Sequence, residues 1–293
     1  MANTILTPEI IAKEALMVLR NNAVMANLVY RDYSSEFVNG VGDTISIRKP
    51  AKFTANEFAT EIAVQDATET SVPVVMNKLL DVSFAVTAKE LSLSIADFSK
   101  QLLEPAMQAF SDKIDSYLIG LEASLTGRVA HASGVIAPED ILSARKILSD
   151  NSAPLTDRRL VIGTIAESEL LQNQLFVSAG QVGDDGTALR EASLGRKFGL
   201  DIYTDQNIVK VDATTDYVPS IAFHKNAFAL VTRQLALPLG NSNASIVNYD
   251  GFGLRVVYGY NQTSKTDTVS IDMLCGVKLL DDKLASVIVD TRA

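Results

Sequence analysis

The chain has 293 residues, of which 47% are hydrophobic and 21% charged, and its 35 acidic and 26 basic side chains give a net charge of −9. This composition is typical of a folded globular protein with material for about two domains, or for one core with long excursions, and it excludes a disordered chain. The acidic balance argues against tight, sequence-independent binding of nucleic acid, because such binding requires clustered lysine and arginine.

Cysteine and histidine limit the covalent and metal chemistry. Cys275 is the one cysteine, so no internal disulfide forms, and with only His131 and His224 beside it a zinc site of four Cys or His ligands cannot be built within the chain. No apolar run reaches the roughly 18–20 residues that span a bilayer, and no signal segment opens the sequence. We therefore expect a cytosolic chain, or a component of a particle assembled in the cytoplasm.

A short amphipathic helix is predicted at the start of the chain. Thr7 is placed to cap it, Pro8 suits its first turn, and apolar residues recur at helical spacing up to residues 21–22. These apolar residues are Ile11, Ala15, Val18 and Leu19. Because so short a helix is marginal in water alone, we expect it to pack against the body of this subunit or of a neighbour.

Alternating hydrophobicity from Gly42 to Val86 predicts strands. Between Phe53 and Asn77 the segment contains four acids and no lysine or arginine. The four acids are Glu57, Glu61, Asp66 and Glu69. A two-stranded excursion with so little apolar surface is marginal alone, so we expect it to lie on another surface. The alternative is an ordinary hairpin facing solvent.

The strongest helical pattern runs from Leu103 to Leu125 and predicts an amphipathic rod about 30 Å long, with Pro105 in its first turn or at a kink. Its apolar stripe, which we interpret as core contact, consists of Leu103, Met107, Phe110, Ile114, Tyr117, Leu121 and Leu125. The polar residues assigned to the opposite side are Gln108, Ser111, Asp112, Asp115 and Glu122.

The remainder is predicted to be α/β and then β-rich. Helices are expected at 138–148, 165–175 and 189–194, with strands at 160–163 and near residues 202 and 221. A glycine-rich acidic loop spans Gly180 to Gly186. After residue 231 the alternation returns, with strands around 254–258, 269–273 and 287–289.

No catalytic or ligand-binding motif is found. The sequence lacks a phosphate-binding loop, a nucleophile elbow, a paired-histidine zinc motif and a C-x-x-C pair. His131 and His224 have no serine or cysteine partner at a readable spacing, and Cys275 lies in an apolar stretch where a thiol is a small buried hydrophobe. We therefore predict no catalytic residue, no cofactor and no metal.

The order of these parts, and several segments, resemble one protein family. The segments are those from Thr7 to Leu16, Val41 to Pro50, Asp81 to Ile95, Gly253 to Val256 and Thr266 to Asp272. They are similar to the major capsid proteins of tailed bacteriophages in the coat-protein group of the Salmonella podovirus, which share the Hong Kong 97 capsid fold.

The resemblance implies an α+β fold with an N-arm, an extended β-hairpin loop, a long spine helix, and peripheral and axial domains. The implied divisions are 1–38 for the N-arm, 39–88 for the extended loop, 89–131 for the spine helix, 132–232 for the axial domain and 233–293 for the return of the peripheral domain. The chain is too short for the immunoglobulin-like insertion of the podovirus protein.

The implied function is a virion shell: pentamers and hexamers of this chain, assembled in the host cytoplasm around double-stranded DNA. The expected partners are further copies, a separate scaffolding protein, a portal protein and weakly contacted DNA, with no membrane. The candidates for contacts between subunits are Glu57, Glu61, Asp66, Glu69 and Arg128. The founding member of the Hong Kong 97 fold has a lysine–asparagine cross-link. We do not expect this cross-link here, because residues 53–77 contain no lysine.

Two alternatives remain open from the sequence. One is a cytosolic α/β enzyme that uses the loop from Gly180 to Gly186 as a substrate lid. The other is an encapsulin-like nanocompartment shell of the same fold, which encloses protein cargo instead of a genome.

Overall fold

The computed structural model describes residues 8–31, 43–49, 53–57, 66, 70–87, 102–131, 136–177, 191–208, 216–238, 243–249, 252–261 and 266–292. The helices are α1 (Pro8–Asn22), α2 (Met25–Leu28), α3 (Glu104–Ile119), α4 (Pro138–Asp150), α5 (Thr164–Leu170) and α6 (Gln174–Val177). The strands are β1 (Thr44–Lys49), β2 (Thr70–Val75), β3 (Lys78–Thr87), β4 (Arg128–His131), β5 (Arg158–Ile162), β6 (Arg196–Lys197), β7 (Leu200–Thr204), β8 (Asp216–His224), β9 (Phe228–Arg233), β10 (Ala244–Tyr249), β11 (Phe252–Asn261), β12 (Thr266–Leu279) and β13 (Ala285–Arg292).

A five-stranded sheet forms the first layer, in the order β10-β11-β12-β3, with β9 pairing the far end of β12. Helices α1 and α3 pack against each other, and α1 also covers β10 and β11. Ile11 and Leu19 of α1 and Ile271 of β12 are fully buried in one core cluster. The N-terminal helix therefore packs on its own subunit, with the bounds that the sequence predicts.

A six-stranded sheet in the order β4-β13-β8-β5-β7-β6 forms a second body. It is mixed, because β5 and β7 are parallel while β5 and β8 are antiparallel. Helix α4 packs on β13, β4 and β8, and its apolar side chains share a core with Leu160 and Ile288. The strand β13 thus returns to this sheet from the end of the chain.

The long helix is shorter than its sequence pattern predicts. Helix α3 ends at Ile119 and continues as a 3₁₀ turn from Gly120 to Ser124, so its sixteen residues span about 24 Å. Pro105 lies in its first turn, and Phe110 is buried as expected. The prediction of a solvent-facing polar side is wrong for three residues, because elements on that side also cover the helix. These buried residues are Ser111, Asp115 and Glu122.

The predicted hairpin is present as β1 paired antiparallel with β2, from Thr44 opposite Val75 to Lys49 opposite Thr70. It is anchored on its own subunit at the base, where Ile45 and Val74 are buried against Ala229 of β9. The support that a lone hairpin lacks therefore comes, for this part, from within the chain.

The strand pairings do not follow the divisions that the resemblance implies. Strand β3 lies within 39–88 but pairs with β12 in the five-stranded sheet, and β13 lies within 233–293 but pairs with β8 and β4. The helix predicted at 165–175 is interrupted between α5 and α6. The loop from Gly180 to Gly186 lies outside the described residues.

Candidate inter-subunit interface

The acidic segment beyond β1 is solvent-accessible where the structure describes it. Residues 53–57 are exposed and irregular, and Phe53 is 64% exposed. Glu57 and Asp66 are both exposed. Glu61 and Glu69, the other two acidic candidates, lie outside the described residues. Glu57 and Phe53 thus offer an acid and an aromatic group to a partner surface.

Arg128 begins strand β4 instead of ending the long helix, and it is engaged within its own subunit. Its Nη2 lies 3.6 Å from Oε2 of Glu122, whose side chain is buried, and its Nε donates to the Leu125 carbonyl at 3.4 Å. The Arg128 side chain is 44% exposed, so it is still accessible to another molecule. The structure brings none of the described acidic candidates to Arg128.

The hairpin is held to the rest of the chain at both ends. At the root the Met76 N–H donates to the Asp43 carbonyl at 2.8 Å, and at the far end the Lys49 ammonium lies 3.6 Å from the Asp281 carboxylate. A Cβ built on Gly276 would lie 2.5 Å from the Val75 carbonyl oxygen, which is closer than real Cβ atoms approach. Only glycine lets β12 pass this close to the end of β2.

A buried carboxylate joins the long helix to the N-terminal segment. Asp115 is 1% exposed, and its two oxygens accept hydrogen bonds of 2.9 Å from the N–H groups of Val24 and Ala26, at the start of α2. Burial raises the pKa of Asp115 to about 7, with a further contribution from the charge of Asp205, while the backbone hydrogen bonds act in the opposite direction. The group is therefore costly to ionise in the folded chain.

The same segment is also tied to the six-stranded sheet. The Arg159 guanidinium of β5 donates to the Leu28 carbonyl, at the end of α2. Tyr30 follows, where its N–H donates to the Phe228 carbonyl and its carbonyl accepts from the Leu230 N–H, each at 3.1 Å. Residues 24–30 thus link α3, β5 and β9.

Two other potentially reactive side chains, those of His224 and Cys275, are buried. Burial lowers the pKa of His224, whose Nδ1 accepts from the Asn226 N–H at 3.2 Å, and burial raises the pKa of the Cys275 thiol to about 12. The side chain of His131 lies outside the described residues. Among the residues that are described, no three His, Cys, Asp or Glu side chains are grouped to hold a metal ion. No helix in the described ranges is both long and apolar enough to cross a membrane.

Comparison with solved structures decides the fold. A chain from Mycobacterium phage Che8 matches with a TM-score of 0.67 at 19% identity, over 91% of this chain and 90% of that one. This chain has the Hong Kong 97 capsid fold. A capsid structure of Cyanophage P-SCSP1u matches with a TM-score of 0.61 at 13% identity, over 86% and 84% of the two chains. The α+β fold class predicted from the sequence is therefore confirmed.

A third similar structure is described as a virus-like particle. The virus-like particle from Pyrococcus furiosus matches with a TM-score of 0.55 at 14% identity, over 95% of this chain and 97% of that one. No family model matches the sequence, and no curated protein matches it.

The predicted polar side wrongly includes three buried residues of α3 and of the 3₁₀ turn that follows it, but their spacing indicates burial. Ser111, Asp115 and Glu122 are separated by four and seven residues, so they form a line beside the apolar stripe. When a helix is covered on two sides, a line of polar residues beside its apolar stripe becomes buried. The polar groups of that line then need hydrogen-bond or ion-pair partners. For Asp115 the partner N–H groups, those of Val24 and Ala26, lie about ninety residues away in sequence.

Proposed function

We propose that this chain is the major capsid protein of a tailed bacteriophage, a structural subunit without enzymatic activity. Copies of it assemble into pentamers and hexamers of an icosahedral shell that encloses double-stranded DNA in the virion. The observation that carries the proposal is the fold match over 86% of this chain and 84% of the cyanophage capsid chain. Because both chains are matched nearly end to end, the likeness is not that of one shared domain.

The hairpin is the element that suits this subunit to a shell. The exposed residues 53–57 follow its first strand in sequence, and a shell forms when each subunit repeats one contact around closed symmetry axes. We assign to this contact the side chains Glu57, Glu61, Asp66 and Glu69, with Arg128 as a basic residue on the neighbouring subunit. Exposed ion pairs contribute only about 0–1 kcal/mol each, so they select the register more than they stabilise the shell.

Finer assignments follow from the same proposal. The parts are an N-arm (1–38), an extended loop (39–88), a spine helix (89–131), an axial domain (132–232) and a peripheral return (233–293). The sequence segments favour the coat-protein group of the Salmonella podovirus. Assembly in the host cytoplasm uses a separate scaffolding protein and a portal protein, and the packaged DNA is contacted weakly because the subunit carries a charge of −9.

Non-covalent contacts hold the hairpin, because residues 53–77 contain no lysine to form a lysine–asparagine cross-link. Mature particles boiled in detergent should therefore run as single subunits on a denaturing gel. A ladder of joined subunits would contradict this assignment.

A second candidate function is a nanocompartment shell that encloses protein. The observation behind it is that the fold match extends to a virus-like particle from Pyrococcus furiosus, over 95% of this chain and 97% of that one, so the fold is not limited to the structures named for a phage. The packing of α1 on its own subunit is compatible with both shells.

Electron microscopy of the purified full chain, alone and with a scaffolding partner, tests the proposal. Closed particles or capsomer rings are the expected result. A monomer or dimer at every concentration, stabilised by a small ligand, would refute a shell and favour an enzyme. Particles that contain protein cargo and no nucleic acid would select the nanocompartment.

A further inference from the structure

Two lysine side chains converge on one tyrosine at the surface of the long helix. The Nζ atoms of Lys113 and Lys78 lie 5.3 Å and 5.4 Å from the centre of the Tyr117 ring. Lys113 and Tyr117 are one turn apart on α3, and Lys78 is the first residue of β3. Lys113 is exposed and the other two are half-buried, so the cluster is open to solvent on one side.

Within the described residues, no carboxylate neutralises the positive charge of this cluster. Across the part of the chain that the structure describes, neither ammonium group has a carboxylate partner, whereas Lys13 and Lys146 each pair with an acid at 2.6 Å. The nearby Asp112 accepts instead from the amide of Gln108 at 2.9 Å. Two like charges beside one aromatic face create a local potential that attracts an anionic group.

The chain itself carries a segment of complementary chemistry. Residues 53–57 are exposed, with Phe53 at one end and Glu57 at the other, and no lysine or arginine occurs between residues 53 and 77. A carboxylate suits the two ammonium groups, and an aromatic ring suits the half-buried face of Tyr117. The exposed ring of Phe53 loses solvent-exposed apolar surface in such a contact.

The geometry of the hairpin indicates that the acidic segment contacts the lysine cluster of a second copy and not that of its own subunit. Thr44 lies opposite Val75 at one end and Lys49 opposite Thr70 at the other, so five residue steps separate the two ends by about 17 Å. The acidic segment continues from the far end, while Lys78 follows the near end. A contact between the acidic segment of one copy and the lysine cluster of the next is head-to-tail, the kind that closes into rings.

We propose that Lys78, Lys113 and Tyr117 form the surface that receives residues 53–57 of a second copy of this chain. Glu57 lies between the two ammonium groups, and Phe53 packs on the ring of Tyr117. This inference rests on the proposed shell function and names the surface through which one subunit holds the next. It adds a second basic surface to Arg128, which is paired in part with Glu122 of its own chain.

Charge reversal tests the contact. Lys113→Glu and Glu57→Lys should each raise the subunit concentration at which particles first appear by about tenfold, because like charges then meet at the interface. The double variant should return close to the wild-type concentration. Lys146→Glu is the matched control, since this lysine is exposed on α4, and it should leave assembly unchanged. Circular dichroism of the subunits checks that every variant is folded.

Disulfide trapping identifies the two partners. Subunits carrying Glu57→Cys are mixed with subunits carrying Lys113→Cys, and an oxidised dimer is expected on a non-reducing gel only when both are present. The native Cys275 is fully buried and does not interfere. A disulfide that forms within one doubly substituted chain, but not between mixed subunits, would overturn the proposal.

The remaining outcomes separate the contact from the shell function. A wild-type chain that never assembles refutes the shell itself. Normal wild-type assembly with an unchanged Lys113→Glu variant, or equal damage from Lys146→Glu, overturns the contact alone. Variants that assemble normally but retain less nucleic acid would show that the cluster faces a packaged polyanion instead, which also overturns it.

Discussion

The titration of Asp115 should make the stability of the folded subunit fall as the pH rises. Burial raises the pKa of this carboxyl from 3.8 to about 7, so between these values the folded chain holds a proton that the unfolded chain has released. The contribution is fully present below about pH 4 and is lost as the pH passes through about 7. A difference of about three pKa units corresponds to about 4 kcal/mol of unfolding free energy.

Asp115→Asn removes this titration while keeping the shape of the side chain. The carboxamide has one acceptor oxygen where the carboxyl group has two, so one of the N–H groups of Val24 and Ala26 loses its acceptor, at a cost of about 1–3 kcal/mol. At pH 5 the wild-type subunit should therefore be the more stable. At pH 8 the difference should vanish or change sign, because only the wild type carries the cost of ionisation.

Urea-induced unfolding of unassembled subunits, followed by circular dichroism at pH 5 and pH 8, measures the effect. The wild type should lose about 2–3 kcal/mol more than Asp115→Asn over this range, because the loss accumulates over the two pH units between 5 and the folded pKa of about 7. Asp150→Asn is the control, because it removes one carboxyl group from an exposed site on α4 and should keep the wild-type profile. Parallel profiles for wild type and Asp115→Asn would refute the reasoning.

Three further predictions concern the packing of the core. Cys275 is fully buried with its pKa raised to about 12, so a thiol reagent should label it only after unfolding in urea, and rapid labelling of the native subunit would contradict this burial. Gly276→Ala should lower the melting temperature through about 1–3 kcal/mol of overpacking at the hairpin root, whereas Gly259→Ala, whose Cβ would meet nothing within 4 Å, should not. Phe110→Asp places a charge in the core, so it should cost several kcal/mol of unfolding free energy and prevent soluble expression. Ala109→Asp, on the exposed face of α3, should be tolerated. Normal assembly and melting of the Phe110 variant would refute the orientation of α3.

Local pattern was enough to predict most of the elements. The period of 3.6 residues in α1 and the period of two in β1, β3 and β12 each reflect which face of one element is apolar. Pro8 at the start of α1 placed that boundary correctly. Such signals lie within about twenty residues of sequence, and no knowledge of the partner element is needed to read them.

Partner choice between distant elements could not be predicted in the same way. The burial of Asp115 depends on α2, and its partner Val24 is 91 positions away. Strand β13 has buried apolar residues on both faces, so its alternation does not reveal that it returns to β8 and β4. The lysine cluster was also missed, because Lys78 and Tyr117 become neighbours only through the packing of α3 beside β3.

The pairing of β3 with β12 also determines when the five-stranded sheet can be completed during translation. Ser83 and Ser270, which are hydrogen-bonded across these strands, are 187 positions apart. At about 5–20 residues per second, a ribosome needs roughly 10–40 s after making β3 to deliver its neighbour. During that interval the nascent chain has an incomplete sheet and a slow-forming, non-local topology. The sheet is therefore completed only when translation is nearly finished, and a chain truncated before β12 lacks the strand that pairs with β3.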